Sequence, residues 1–156
     1  MSEVVSGEFS TTIRFRADFI HQFTISPLHS MSPRLILQLS ALLGALTVAI
    51  GAFGAHGLRP MLEASGRFET FETAVRYQFY HTLALLAVGV LALARPELRD
   101  PLDTTAALWL GGILIFSGSL YAICFTGITK FGAVAPLGGL LLIAGWLRLL
   151  LAVSKL

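Results

Sequence analysis

Cysteine is almost missing from this chain, and charge is scarce. One cysteine, Cys124, stands among 156 residues, which excludes an intrachain disulfide framework and any paired-cysteine metal or redox motif. Only 13% of the residues are charged, against roughly 25% in a soluble domain. The 11 basic and 9 acidic side chains leave a net charge of +2 and form no Lys/Arg run, so there is no electrostatic footprint for nucleic acid. Apolar residues fill the chain instead, at 55%, with a mean hydropathy of +0.78. A water-soluble globule of 16.8 kDa could not hide so much apolar side chain, and the bilayer must solvate most of it.

Residues 1–30 differ from the remainder, mixing Ser2, Ser6, Ser10, Thr11 and Thr12 with Arg14, Arg16, Asp18 and scattered phenylalanines. They hold no apolar run long enough for a signal-peptide core, and Glu3, Glu8 and Asp18 argue against a transit peptide. Met31-Ser-Pro-Arg34 reads as an ordinary start for a membrane protein, with a helix-opening Pro33 and one cation ahead of apolar sequence. The expectation is that residues 31–156 form the membrane domain. Residues 1–30 are then a disordered extension or an upstream start-codon reading, with a real cytosolic extension as the competing account.

The apolar runs set the fold. Leu35 to Ala55 carries no charge and is long enough for the first span, about 30 Å of hydrocarbon. Small residues at Ala41, Gly44 or Ala45, Val48, Gly51 or Ala52, and Ala55 give it a face that a neighbouring backbone can approach. From Arg67 to Val88 neither Gly nor Pro intervenes; Phe68, Phe71, Val75 and Phe79 recur at helical spacing, so an amphipathic helix opened near Ser65-Gly66 runs on into the apolar stretch Thr82 to Ala94. That stretch alone is too short to cross, and the second span must borrow residues from Val75 onward. Pro96 and Pro101 mark a polar turn in which Asp103 is the expected N-cap of the next helix. Ala106 to Ile128 supplies a third uncharged span, and Phe131 to Val153 a fourth, which Pro136 is expected to kink. The fold class that follows is all-α, an integral-membrane four-helix transmembrane bundle with spans at 35–55, 75–94, 106–128 and 131–153. Cations in alternate loops count seven on the side of the two termini against four on the other, or five against four without the first 30 residues. Both termini are therefore expected in the cytoplasm.

Three strings carry a resemblance: Gly51-Ala-Phe-Gly-Ala-His-Gly-Leu58; Phe71-Glu-Thr-Ala-Val-Arg-Tyr-Gln-Phe-Tyr-His81; and Phe116-Ser-Gly-Ser-Leu-Tyr121 with Ala135-Pro-Leu-Gly-Gly139 and Gly145-Trp146. In this order and at these separations the chain resembles the domain of unknown function 423 family of small inner-membrane proteins, and is similar also to the eukaryotic transmembrane protein 256 group. The likeness runs from about Arg34 to Leu151. It implies a four-span bacterial plasma-membrane protein and no reaction, so no catalytic residues carry over. Ala135 departs from the threonine the pattern leads one to expect there, which speaks against a hydroxyl-dependent role at that position.

Candidate chemistry gathers on the second helix. Glu72 and Arg76 stand four apart in the favourable order for an ion pair; they line a polar cavity, or else they are an interfacial anchor that ends the span. His56 and His81 flank the same outer loop and could hold haem or relay protons, although a metal would need a third ligand and no diagnostic spacing supplies one. With Tyr80 these four residues form the candidate polar cluster. Ser117 and Ser119 are read as interhelical glue, together with Gly51, Gly54, Gly138 and Gly139 as packing positions and Pro136 as a kink. No catalytic residue, no metal and no cofactor is expected. The leading reading is a non-enzymatic protein that packs against membrane lipids, a membrane-protein partner or a second copy of itself. The alternatives are a small solute or proton transporter gated by the Glu72/Arg76/His81 cluster, and a haem or quinone protein using His56 and His81.

Overall fold

The structure, a computed structural model, describes residues 31–154; the expectations for residues 1–30 lie outside this range. Helix α1 (Pro33–His56) opens on Ser32, whose hydroxyl accepts a hydrogen bond from the Leu35 amide at 3.2 Å, with Pro33 in the first helical position. A short helix α2 (Arg59–Ala64) follows and buries Leu62 completely. Gly66, at φ +66°, then reverses the chain into α3 (Phe68–Ala94). This 27-residue helix is unbroken, as the lack of Gly or Pro ahead of Val88 requires, and about 40 Å long.

The next helix starts earlier than its expected cap. After a 3-10 turn at Pro96–Leu98, α4 runs from Arg99 to Thr126. Asp103 is therefore no N-cap. It stands in the second turn, buried, and both its carboxylate oxygens lack a hydrogen-bond partner. The cause is packing: Leu98 and Leu102 are buried in the core and draw the first turn inward, and Pro101 is harmless where its missing N–H has no helical acceptor. Gly127 closes α4 in the left-handed conformation at φ +76°. A 3-10 turn at Thr129–Ala133 leads to α5 (Ala135–Val153). The expected kink at Pro136 is absent, because the helix begins at Ala135 and the proline lies in its first turn, where its fixed φ assists the start.

Among the described residues four helices are long and apolar enough to cross a membrane, and the α3 and α4 spans are the more enclosed pair. Consecutive spans pack antiparallel. Along the α1–α3 seam Gly89 faces Leu37, Gly44 faces Thr82, and Gly54 faces Phe71. Along the α4–α5 seam Gly112 faces Leu142, Phe116 faces Gly138, and Trp109 faces Gly145. The extensive seams are thus α1–α3, α3–α4 and α4–α5. Side chains such as Leu114, 72% exposed, and Val48, 64% exposed, point outward around this core. In water they would form an apolar surface far beyond what a monomer tolerates; in lipid they are solvated.

Lipid removes the hydrophobic drive for helix association, so close packing and interhelical hydrogen bonds must supply it. Among the described residues five such bonds tie the spans. Gln78 donates from Nε2 to Thr47 Oγ1 (2.7 Å) and accepts at Oε1 from the Tyr121 hydroxyl (3.0 Å), joining α1, α3 and α4. Ser117 donates to the Ala74 carbonyl at 2.9 Å, Trp109 to the Leu142 carbonyl at 3.2 Å, and Trp146 to His81 at 3.2 Å.

Candidate functional site

The candidate polar cluster divides between two faces of α3. Glu72, Arg76 and Tyr80 follow one another at four-residue steps and form one stripe. His81 belongs to the opposite, buried stripe with Ala74, Gln78 and Leu85. His56 is exposed at the last turn of α1. His81 sits halfway along α3, about 20 Å from that helix's start, so the two histidines do not share a depth and cannot hold one cofactor between them.

Arg76 does not pair with Glu72. Its Nε donates to the Glu72 backbone carbonyl at 3.2 Å, and its Nη2 reaches the Glu69 carboxylate at 3.4 Å. Side chains on a helix lean toward its N-terminus, which carries the guanidinium two turns back and away from the lipid. The pair is loose, with the Arg76 side chain 50% and the Glu69 side chain 85% exposed, and Arg76 keeps further N–H donors for another acceptor.

Below Arg76 lies a groove. Val48 and Gly51 of α1 and Val75, Phe79 and Tyr80 of α3 line a space of about 260 Å³ with Arg76 at its edge. At Phe79 it abuts a second space of about 310 Å³, lined by Ser40, Gly44 and Ala45 of α1 and Leu83 and Leu86 of α3. Together they follow the seam from the level of Gly51 to that of Ser40, about 17 Å. Glycines at 44 and 51 make the groove, since neither has a side chain to fill it; Cβ atoms there would meet Thr82 at 3.7 Å and Val75 at 3.4 Å.

His81 is satisfied on both nitrogens. Trp146 Nε1–H donates to its Nε2 at 3.2 Å, so Nδ1 carries the proton and donates to the Tyr77 carbonyl at 2.8 Å. A haem iron or metal would have to displace one of these bonds. Among the described residues no three of His, Cys, Asp and Glu converge on a metal position.

The remaining candidates sit at helix contacts. Ser117 bonds across to α3, whereas Ser119 donates to the Phe116 carbonyl of its own helix. A Cβ at Gly54 would lie 2.8 Å from Phe71 Cζ, and one at Gly138 would lie 2.8 Å from Phe116 Cα, so both glycines are needed where they stand. Gly139 is open by comparison, with Phe116 Cδ2 at 3.8 Å. Pro136 is exposed at the start of α5 and lines none of the spaces described here. Reading the sequence for clusters missed Thr47, Gln78 and Tyr121, the hydrogen-bonded thread through the interior. A signal was available in the helical spacing: Gln78, His81 and Thr82 share the buried face of α3, and Thr47 lies two turns from Ser40 on the buried face of α1.

Four apolar helices, polar side chains spent on one another and lipid-facing grooves define a polytopic α-helical membrane protein. Comparison with known sequences gives the family. The model described as protein of unknown function (DUF423) matches residues 50–139. A UPF0382 membrane protein of Staphylococcus haemolyticus is 41% identical over 124 residues, covering 78% of this chain and 97% of the relative. One from Haemophilus influenzae is 42% identical over 113 residues, covering 72% and 88%. The UPF0382 membrane protein YwdK of Bacillus subtilis is 38% identical over 124 residues, covering 78% and 98%. The chain belongs to this DUF423/UPF0382 family of membrane proteins, whose biochemical function is unknown. No solved structure matches it.

Proposed function

We propose that this protein is a non-catalytic component of the bacterial inner membrane that holds a phospholipid in the α1–α3 groove. Its acyl chain lies against Gly44 and Gly51, and its phosphate meets Arg76 and Tyr80. The observation that carries this reading is the match of chemistry to depth. An apolar groove about 17 Å long ends at an exposed guanidinium and a 57% exposed tyrosine, which is the order of groups along a lipid. A non-catalytic role is supported by where the nucleophiles are engaged: Ser117, Ser119 and Cys124 each donate to a backbone carbonyl. With both termini in the cytoplasm, as the loop cations favour, the Arg76 end of the groove opens to the outer leaflet.

Native mass spectrometry after release from phosphatidylglycerol/phosphatidylethanolamine vesicles tests the proposal. The wild type should retain one phospholipid, and Arg76→Gln and the groove-filling Ala45→Phe should each lower the retained fraction by about fivefold or more. Equal retention by all three proteins refutes it. Reporter fusions that place the two termini on opposite sides of the membrane would overturn the orientation.

A further inference from the structure

A second cleft lies on α5's side of the molecule, apart from the α1–α3 groove. Tyr77, His81, Phe116, Gly139 and Trp146 line a space of about 290 Å³ between α3 and α5. On the other side of Trp146, which lines both, is a smaller space of about 180 Å³ bounded by Ala84, Val88, Leu149 and Val153. The walls of the larger cleft are aromatic: the Tyr77 and Phe116 rings stand 4.6 Å apart, and the Trp146 ring is 6.2 Å from that of His81. Besides the Tyr77 hydroxyl, its side-chain polar chemistry is one hydrogen bond, from Trp146 Nε1–H to His81 Nε2. His81 is only 6% exposed, while Trp146 is 48% exposed and stands at the cleft's edge.

That bond dictates the group that could replace it. Parting Trp146 from His81 leaves one N–H donor and one unprotonated ring nitrogen facing each other, both away from water. A carbonyl would satisfy the indole and orphan the imidazole, and an ether would do the same. A carboxylate would bring a charge to the middle of the membrane at a cost of several kcal/mol. A hydroxyl satisfies both, accepting from Trp146 and donating to His81. The aromatic walls suit a flat ring, and the smaller, apolar-lined space beside Trp146 suits an alkyl tail. Because His81 is halfway along α3, the molecule must arrive through lipid.

We infer that the His81–Trp146 cleft binds an apolar ring that bears a hydroxyl and an alkyl tail, the chemistry shared by alkylphenols and reduced quinones. The hydroxyl inserts between the indole and the imidazole. The site is independent of the phospholipid groove and stands or falls separately from it.

The chain has two tryptophans, so protein labelled with ¹⁵N-tryptophan in phosphatidylcholine nanodiscs gives two indole N–H resonances, which Trp146→Phe assigns. Titration with 4-heptylphenol should shift the Trp146 resonance saturably. 4-Heptylanisole, the same molecule without the O–H, should require about tenfold more or fail to saturate. Gly139→Leu fills the cleft from a position that touches neither polar group, and it should weaken the phenol about tenfold. His81→Phe should abolish the preference for phenol over anisole. Should that variant fail to fold, the phenol-to-anisole ratio in wild type and the Gly139→Leu result still decide. Competition by decylubiquinol traces the chemistry to reduced quinones, and binding of the monophenol alone traces it to simple phenols. Equal shifts by phenol and anisole, or a phenol titration unchanged by Gly139→Leu, would overturn the inference and leave the cleft a plain lipid-facing furrow.

Discussion

Gly138 gives the sharpest test of how the two C-terminal spans are held. A methyl group added there would lie 2.8 Å from Phe116 Cα and closer still to the Phe116 backbone nitrogen. Neither atom belongs to a side chain that can swing aside. To restore an ordinary contact near 3.4 Å, α4 and α5 must part by more than about half an ångström along this line. The Trp109 hydrogen bond to the Leu142 carbonyl, already 3.2 Å, lies about one turn farther along the same seam and would be stretched toward breaking. Overpacking of this kind costs about 1–3 kcal/mol, and the weakened interhelical bond adds about 0.6. Gly138→Ala should therefore destabilise the protein by about 2 kcal/mol, even though alanine is the better helix former by about 1 kcal/mol. Gly139→Ala is the control. Its methyl group would meet Phe116 Cδ2 at 3.8 Å, an ordinary contact, so propensity should win and stability should hold or rise slightly. Equilibrium unfolding in mixed micelles, by SDS titration followed through far-ultraviolet circular dichroism, measures both variants. If Gly138→Ala unfolds at the same SDS fraction as Gly139→Ala, the backbone contact does not hold this seam and the reasoning fails.

Two further outcomes follow from the interior and the turns. Gln78→Leu keeps the volume but removes both interhelical bonds of the Thr47–Gln78–Tyr121 thread, and it should cost about 1–2 kcal/mol, against about 0.6 for Tyr121→Phe. In the double variant the tyrosine change should add almost nothing, and full additivity in SDS titration would show that the two do not interact. At Gly66 and Gly127, with φ of +66° and +76°, alanine should cost about 1 kcal/mol each. At Gly66 nothing lies within 4 Å of the added methyl, so any loss there reports backbone strain alone; a thermal midpoint in detergent equal to wild type would contradict the turn geometry.

The spans were legible because a run of apolar residues reports bilayer thickness whatever it packs against. Leu35 to Ala55 needed no partner to be read, and it lies inside α1 (Pro33–His56). Helix starts were less legible, since local signals compete with packing. Asp103 carries the chemistry of a cap, yet buried Leu98 and Leu102 move the first turn of α4 ahead of it. Pro136 reads as a break only if the helix begins before it, and the left-handed Gly127 with the 3-10 turn after it delays that start to Ala135.

The divided polar cluster teaches more about site reading, because helical geometry alone separates its members. At 3.6 residues per turn, four-residue steps carry Glu72, Arg76 and Tyr80 only about 40° around α3 each time. The single step from Tyr80 to His81 is about 100°. Neighbours in sequence thus belong to different surfaces, one facing the α1 groove and the other facing α5. Which surface is buried could not be read from α3 by itself. That depends on Trp146, which reaches His81 from 65 residues away, and on Thr47, which reaches Gln78 from 31 residues away. Gln78, His81 and the Ala74 carbonyl find partners on other helices, and each partnership closes one face of α3 while leaving an adjacent one open to lipid. The glycines that let α1 approach α3 also leave the space beside Arg76, and the small wall at Gly139 leaves the space beside His81. If the two proposed ligands occupy these spaces, packing and binding are coupled. A substitution that tightens a seam by filling such a space should remove a ligand's place in the same step, and a gain in stability with a loss of lipid retention in Ala45→Phe would be the signature of that coupling.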